Sequence, residues 1–142
     1  MFIVNVEAAI RKGNKWLIIE RSKEEEHAGG LLSLVGGKVE IEDPSLDVLE
    51  NTLKREVLEE VGVIIHEDMD YVHSALFTTD KGERVVDIVF LCEFKSGEAF
   101  PKSPREVEEV FWLTKEEVYG HPKAPDYVKE SIKRASGKTK NG

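Results

Sequence analysis

Apolar and polar positions along the chain fall into two rhythms. Runs rich in β-branched and aromatic residues predict strands at Phe2–Ile10, Lys15–Glu20, Leu31–Val35, Val61–Ile65, Tyr71–Thr78, Arg84–Phe94 and Val107–Leu113. The stretches "RKGN", Arg11 to Asn14, and "DKGE", Asp80 to Glu83, predict hairpin turns between neighbouring strands. Spacing changes to the helical period after Pro44: Leu46, Leu49, Leu53, Val57 and Val61 form one apolar stripe over a helix expected from about Pro44 to Val61. Asp43 and Pro44 supply a start for it and Gly62 a stop. Shorter helices are predicted near Lys115–Tyr119 and Asp126–Ala135, and the polar end "SGKTKNG", 136–142, reads as a flexible tail. Strands with one central and one C-terminal helix predict an α/β fold, a mixed sheet covered on both faces, in a single domain over 1–135.

The long helix carries an anomaly at its end. "REVLEEVGV", Arg55 to Val63, crowds Glu56, Glu59 and Glu60 just before the stop. At about 100° per residue, Glu56 and Glu60 border the core-facing stripe, and Glu59 lies on the other side of Glu56, beside Arg55 at i, i+4. Carboxylates there face the negative end of the helix dipole, at a cost of roughly 0.3–1 kcal/mol each. Glu56 and Glu60 also repel each other by roughly 0.2–0.5 kcal/mol, and carboxylates beside a core lose hydration. A bound divalent cation would reverse all three effects; a solvated acidic turn is the rival reading. Carboxylates with no neighbouring Cys or paired His suit Mg²⁺ or Mn²⁺, ions commonly shared with substrate phosphates.

Composition limits the partners. The 142 residues include 28 acidic and 20 basic side chains, a formal net charge of -8, so bulk charge does not draw the chain to nucleic acid. Any phosphate must be handled by bound metal or by a few placed cations. Cys92 is the single cysteine, which excludes an internal disulfide and agrees with a reducing, cytoplasmic setting. The opening "MFIVNVEAAI" lacks a basic leader and is too short to span a bilayer; it reads as a strand.

Upstream of the helix lies "GGLLSLVGGKVE", Gly29 to Glu40. A P-loop is excluded: with Gly37-Lys38 in place, the required first glycine falls on Leu32, and Val39 stands where a hydroxyl is needed. Gly36-Gly37 reads as a tight turn after a strand, a role compatible with close approach of backbone to a ligand. Taken with the helix, Gly37 to Val63 resembles the Nudix box: Gly, five residues, Glu, seven residues, Arg-Glu-apolar, one residue, Glu-Glu, one residue, Gly-apolar. Its C-terminal half matches at Arg55, Glu56, Val57, Glu59, Glu60, Gly62 and Val63. The N-terminal half departs. Counting from Gly37 puts the family Glu at Asp43, with eleven residues between it and Arg55 instead of seven; counting back from Arg55 puts it at Asp47. Four extra residues are close to one helical turn, so the expectation is a helix one turn longer at its start.

The resemblance implies a Nudix-like α/β/α sandwich with a loop–helix–loop that binds divalent metal, Mg²⁺ or Mn²⁺. It implies metal ligands at Glu56, Glu59, Glu60 and the Gly36 carbonyl, and a catalytic set of Glu56, Glu59, Glu106 and Arg55. Arg55 would orient the acids; the general base stays open between Glu56 and Glu106, the latter on the loop before the strand "VFWL". Arg21 and Lys38 are the substrate-binding candidates, with Lys23 beside them, each against a plain surface role. Trp16, Phe77 and Trp112 are weighed as base-stacking or core residues, and His27 as a pocket-lip or exposed loop residue. His66, His73 and His121 show no ligand spacing. The activity implied is metal-dependent hydrolysis of a nucleoside diphosphate linked to another moiety, a nucleoside triphosphate, oxidised or not, being the first expectation. The alternative is a non-catalytic nucleotide- or metabolite-sensing domain of the same fold. The implied partner is a small nucleotide-type molecule, with neither nucleic acid polymer nor membrane; oligomeric state stays open, a homodimer included.

Overall fold

The structure is a computed structural model that describes residues 1–25, 28–40 and 44–139. Its strands are β1 (Phe2–Lys12), β2 (Lys15–Arg21), β3 (Leu32–Ser33), β4 (Val35–Lys38), β5 (Ile64–Thr78), β6 (Arg84–Ser96) and β7 (Val107–Thr114). Its helices are α1 (Val48–Val61), α2 (Lys115–Tyr119) and α3 (Asp126–Lys138). The strands form one mixed sheet in the order β3-β2-β1-β6-β5, with β4 paired to β1 and β7 to β2. β1 and β6 run parallel over ten residue pairs; the other pairings are antiparallel.

The continuous apolar runs of β1, β2 and β6 reflect burial on both faces of the sheet. Val6, Ala8, Ile10, Leu17, Ile19, Phe90 and Cys92 face one core, into which α1 inserts Leu53, Val57 and Val61. Ala9, Trp16, Ile18, Val89 and Leu91 face the other, covered by Val128, Ile132 and Ala135 of α3. The expected α/β/α sandwich is the architecture observed.

The feature that makes a site is a split in the sheet. β1 and β2 pair only next to their hairpin turn, Arg11 with Trp16 and Lys12 with Lys15. Gly13 turns the hairpin at a φ of 63°, the left-handed region that suits glycine. Beyond the turn the two strands part. β1 takes β4 as its neighbour from Asn5 to Ala8, while β2 takes β3 at Ile19 and Glu20; β7 runs along the other edge of β2 over its whole length. The chain crosses between the two leaves at Leu34: the expected Leu31–Val35 strand is two short strands, β3 on β2 and β4 on β1.

Three other expectations change. Gly36-Gly37 is not a turn. Both residues lie inside β4, opposite Glu7 and Val6. The two strands expected at Val61–Ile65 and Tyr71–Thr78 are one long edge strand, β5, whose register shifts absorb the polar stretch His66-Glu67-Asp68. The long helix begins at Val48, not near Pro44, and carries no added turn: Asp47 sits before it in a left-handed conformation, φ 53°, without a side-chain capping bond. The extra residues of the box therefore precede the helix. Leu46 falls outside the apolar stripe and is 85% exposed, because the helical period does not reach it. Asp43 and His27 lie outside the described residues. At the other end α3 continues to Lys138 with Ser136 buried, so the helix takes in the first residues of the expected tail.

Burial separates two leucines of the same segment. Leu53→Ala removes a side chain that is fully buried, so the urea midpoint should fall by the equivalent of about 2–5 kcal/mol with little change in slope. Leu46→Ala should leave stability within about 0.5 kcal/mol. Equal losses would contradict the observed start of α1.

Candidate active site

The parting of β1 from β2 opens a cleft of about 310 Å³. β1 contributes Asn5 and Glu7, β2 contributes Ile19 and Arg21, and β4 contributes Gly36, Gly37 and Lys38. Glu56 and Glu60 enter from the end of α1, Glu106 from the loop before β7, and Glu40 and Glu25 from the neighbouring loops.

The glycines of β4 are required by closeness, not by turn geometry. A Cβ on Gly36 would stand 2.0 Å from the Val6 carbonyl oxygen, and one on Gly37 would stand 2.4 Å from Cδ of Glu56. Strand β4 therefore lies flush between β1 and the acidic end of α1, and Glu56 occupies the space a side chain would need.

The end of α1 explains how the chain tolerates its acids. The last turn contains no basic residue. Instead, the loop after β6 turns backbone N–H groups onto the exposed carbonyls: Phe100 donates to Val61, and Lys102 donates to Glu60 at 3.0 Å. Gly62 closes the helix at φ 71°, its N–H bonded to the Leu58 carbonyl. The same loop carries Glu106. Its backbone carbonyl accepts from Ser22 N–H at the end of β2, and its carboxylate accepts from the Ser103 hydroxyl at 3.1 Å. Helix end, loop and strand end are thus tied into one frame.

Within that frame the three box glutamates have different surroundings. Glu60 is 6% exposed, and its Oε2 is buried without a hydrogen-bond partner among the described residues. Burial, reinforced by the charges of Glu106 and Glu56, pushes its pKa up to about 9. Glu56 is half-buried and is also raised, by loss of water first; Arg55 opposes the shift, and Glu59, Glu106 and Glu40 add to it. Glu59 is exposed and does not line the cleft. Arg55 holds Glu56 at 3.2 Å and Glu59 at 3.4 Å, bridging one acid inside the cleft and one outside it.

The structure thus brings together Gly36, Glu56, Glu60, Glu106, Arg21 and Lys38 from the sequence-predicted set, and leaves Glu59 at the rim with Arg55. Arg21 also pairs with Glu25 at 3.7 Å. Asp47, Lys23, Glu108 and Glu109 do not line the cleft. Trp16 is core, Trp112 packs edge-on against Phe94, and Phe77 lies on the outer strand β5, so none offers a stacking face in the cleft. His73 is buried against Ser131, and Cys92 is buried with its thiol pKa pushed up by loss of water.

Sequence reasoning missed Asn5, Glu7, Glu25 and Glu40 as cleft residues. Glu40 ends the quoted "VGGKVE". Asn5 and Glu7 carried a signal in β1: two polar residues, two apart, in a run otherwise buried on both faces. Glu7 has its carboxyl pushed well above the ordinary range by burial, then by its contact with Asp87, with Tyr127 and Arg21 pulling the other way.

No three His, Cys, Asp or Glu side chains among the described residues already stand in a metal-holding arrangement. The donors nonetheless suit a hard divalent ion. Glu56, Glu60, Glu106 and Glu40 share one cleft, and Glu60 holds a buried oxygen that bonds nothing among the described residues. Cation binding there would draw both raised carboxyls back toward the ionised form.

A family model of the NUDIX domain matches residues 1–134. The chain belongs to the Nudix hydrolase family, whose members cleave pyrophosphate bonds and generally need a divalent cation. Among solved structures it is similar to the MutT protein of Methanosarcina mazei Go1, with 25% identity over 98% of this chain and 96% of that one, at a TM-score of 0.78. The MutT NUDIX hydrolase of Burkholderia pseudomallei shares the fold at 24% identity, covering 94% of this chain and 98% of that one, with a TM-score of 0.78. So does the NUDIX domain of Shewanella oneidensis NrtR, solved with ADP ribose, at 20% identity over 96% and 88% of the two chains and a TM-score of 0.74. No curated protein matches the chain significantly. No helix of the described residues is long and apolar enough to cross a membrane.

The raised pKa of Glu60 gives a pH signature with a definite sign. Its folded value, about 9, lies above the ordinary 4.5, so the folded state keeps a proton that the unfolded state has released. The stabilising contribution is complete below pH 4.5 and is lost as pH rises toward 9. In metal-free buffer, Glu60→Gln should flatten the decline of Tm over that window and raise Tm at its alkaline end. A wild-type-like decline in the variant would show that Glu60 is not the group responsible.

Proposed function

We propose that this chain is a divalent-cation-dependent pyrophosphohydrolase that cleaves a nucleoside diphosphate linked to another moiety. A nucleoside triphosphate, including an oxidised one, is the first substrate to test. The observation that carries the reading is the buried Oε2 of Glu60, without a hydrogen-bond partner among the described residues, beside Glu56 and Glu106 in a cleft lined by two side-chain-free residues. A helix end keeps so costly a group where a ligand compensates it.

In this reading Glu56, Glu60 and the Gly36 carbonyl hold Mg²⁺ or Mn²⁺, and Glu59 joins from the rim. When bound, the cation neutralises phosphate oxygens and makes water a better nucleophile near neutral pH. The residues of the chain do the rest. Glu56 or Glu106 takes the proton from the attacking water; both are acids of the cleft, and Glu106 is braced by Ser103. Arg55 keeps Glu56 and Glu59 in register. Arg21 and Lys38 meet the negative charge of the polyphosphate, and flush β4 lets a phosphate approach the backbone. Attack is an in-line displacement at phosphorus: the water oxygen bonds to phosphorus as the phosphoanhydride bond breaks, giving a nucleoside monophosphate with pyrophosphate from a triphosphate, or with the phosphorylated second moiety from other substrates. The ADP ribose seen with the NrtR domain is itself a nucleoside diphosphate joined to another group, and supports that substrate class.

The test is chromatographic product analysis of a panel of nucleoside triphosphates, nucleotide sugars and dinucleotide polyphosphates with Mg²⁺ or Mn²⁺, the expected products being a nucleoside monophosphate with pyrophosphate, a nucleoside monophosphate with a sugar phosphate, and two smaller nucleotides, respectively. Turnover should vanish with EDTA. Glu56→Gln and Glu60→Gln should each lower kcat/KM at least a hundredfold, about 2.7 kcal/mol or more. Hydrolysis that persists in EDTA or survives both substitutions would refute the mechanism. Tight nucleotide binding without hydrolysis across the panel would establish the sensing alternative.

A further inference from the structure

On the wall of the cleft opposite the α1 acids lies a polar network that the proposed chemistry does not use. Asp87 of β6 is 2% exposed. Its Oδ1 accepts a hydrogen bond from Asn5 Nδ2 at 2.6 Å, and its Oδ2 accepts one from the Tyr127 hydroxyl of α3. Glu7 lies within hydrogen-bond reach of both Asp87 and Tyr127. The ring of Tyr127 stacks on His73 at 5.7 Å, and His73 bonds Ser131 at 2.8 Å, which fixes the phenol on the face of the sheet.

The bonding capacity of these groups decides what they present. A carboxylate only accepts, so Asp87 commits the amino side of Asn5 and the hydroxyl of Tyr127 to itself. The amide of Asn5 is thereby turned: one of its two N–H groups bonds Asp87, which fixes the carbonyl oxygen on the other side of the amide as an acceptor. Glu7 keeps acceptor capacity on its oxygens whether or not it carries a proton. Both Asn5 and Glu7 line the cleft, while Asp87 and Tyr127 stand behind them. The result is a row of acceptors on β1, held by three elements, β1, β6 and α3. Beside it, Ile19 and Leu34 supply apolar walls.

We infer that Asn5 and Glu7 are specificity-determining residues that select substrates whose heterocycle offers N–H donors, with Asp87 and Tyr127 as the positioning residues that keep Asn5 turned. The inference rests on the pyrophosphohydrolase reading, which brings a nucleoside into this cleft. It adds that an amino-bearing base is accepted over one without N–H donors, because the second leaves fixed acceptors unpaired.

The experiment is calorimetric binding to the full chain in Mg²⁺ of four probes. Three are the α,β-methylene diphosphates of adenosine, guanosine and unsubstituted purine riboside; the fourth is methylenediphosphonate. At least one amino-bearing nucleotide should bind about tenfold more tightly than the purine riboside compound, the equivalent of about 1.4 kcal/mol. Asp87→Asn lets the Asn5 amide turn over, and should bring that ratio to about one without changing methylenediphosphonate affinity. Tyr127→Phe, which removes one hydroxyl, should reduce the ratio about threefold and retain the folded circular dichroism spectrum. A ratio of one in the wild type, or a ratio that neither variant moves, overturns the inference. Failure of methylenediphosphonate alone to bind refutes the pyrophosphohydrolase reading while the nucleotide ratio still decides this one. A chain that binds none of the four refutes both.

Discussion

The contact on which the site depends is the packing of β4 against the end of α1. Gly36 and Gly37 bring a strand backbone so close to β1 and to Glu56 that any side chain would displace one of them. This closeness sets Glu56 directly against β4, and it puts the backbone of β4 in the lining of the cleft. The cost is two carboxyls with raised pKa values and one buried oxygen with no partner among the described residues. Such a cost is sustained where ligand binding offsets it.

Two further devices hold this arrangement in place. Backbone N–H groups of the loop after β6 neutralise the carbonyl end of α1 that no basic side chain covers. Because that loop also bears Glu106, the helix end and the third acid move as one unit. The second device is the split between β1 and β2. A sheet paired along its whole length would leave no cleft; here each strand finds a short new neighbour on the edge that leaves the other, β4 on β1 and β3 on β2, which satisfies part of the ladder that the opening breaks.

The cleft has two unlike walls. The α1 side is a cluster of carboxyls with raised pKa values, suited to a cation whose binding would draw them into the ionised form. The β1 side is a neutral or weakly acidic hydrogen-bonding surface, stiffened from behind by Asp87 and Tyr127. Under the proposed function, reaction and selection fall on different elements of the fold. Variation along β1, β6 and α3 can alter selectivity without disturbing the acidic helix end.

Much of this was legible in the residues. The strands were, because β-branched runs buried on both faces leave a strong signal. The positions of Glu56 and Glu60 beside the core stripe followed from the helical period alone, and so did the place of Glu59 on the far side, next to Arg55. Periodicity failed at Leu46 and Asp47, where the apolar spacing continued by coincidence through a segment that is not helical; a left-handed Asp47 has no signature in a hydrophobic pattern. It failed again at Gly36-Gly37, because a glycine pair looks the same whether it turns the chain or lets two backbones meet.

What the sequence by itself determined is therefore local: the strands, most of the helix, the acid spacing and the family. The tertiary structure decided which of those acids share a cleft, that Glu60 is the deeply buried one, and that Asn5, Glu7, Asp87 and Tyr127 form one network. The reason is distance along the chain. Asn5 and Asp87 meet through the parallel pairing of β1 with β6, and Tyr127 reaches them only when α3 folds over the sheet. No periodicity within one segment encodes contacts between segments that far apart.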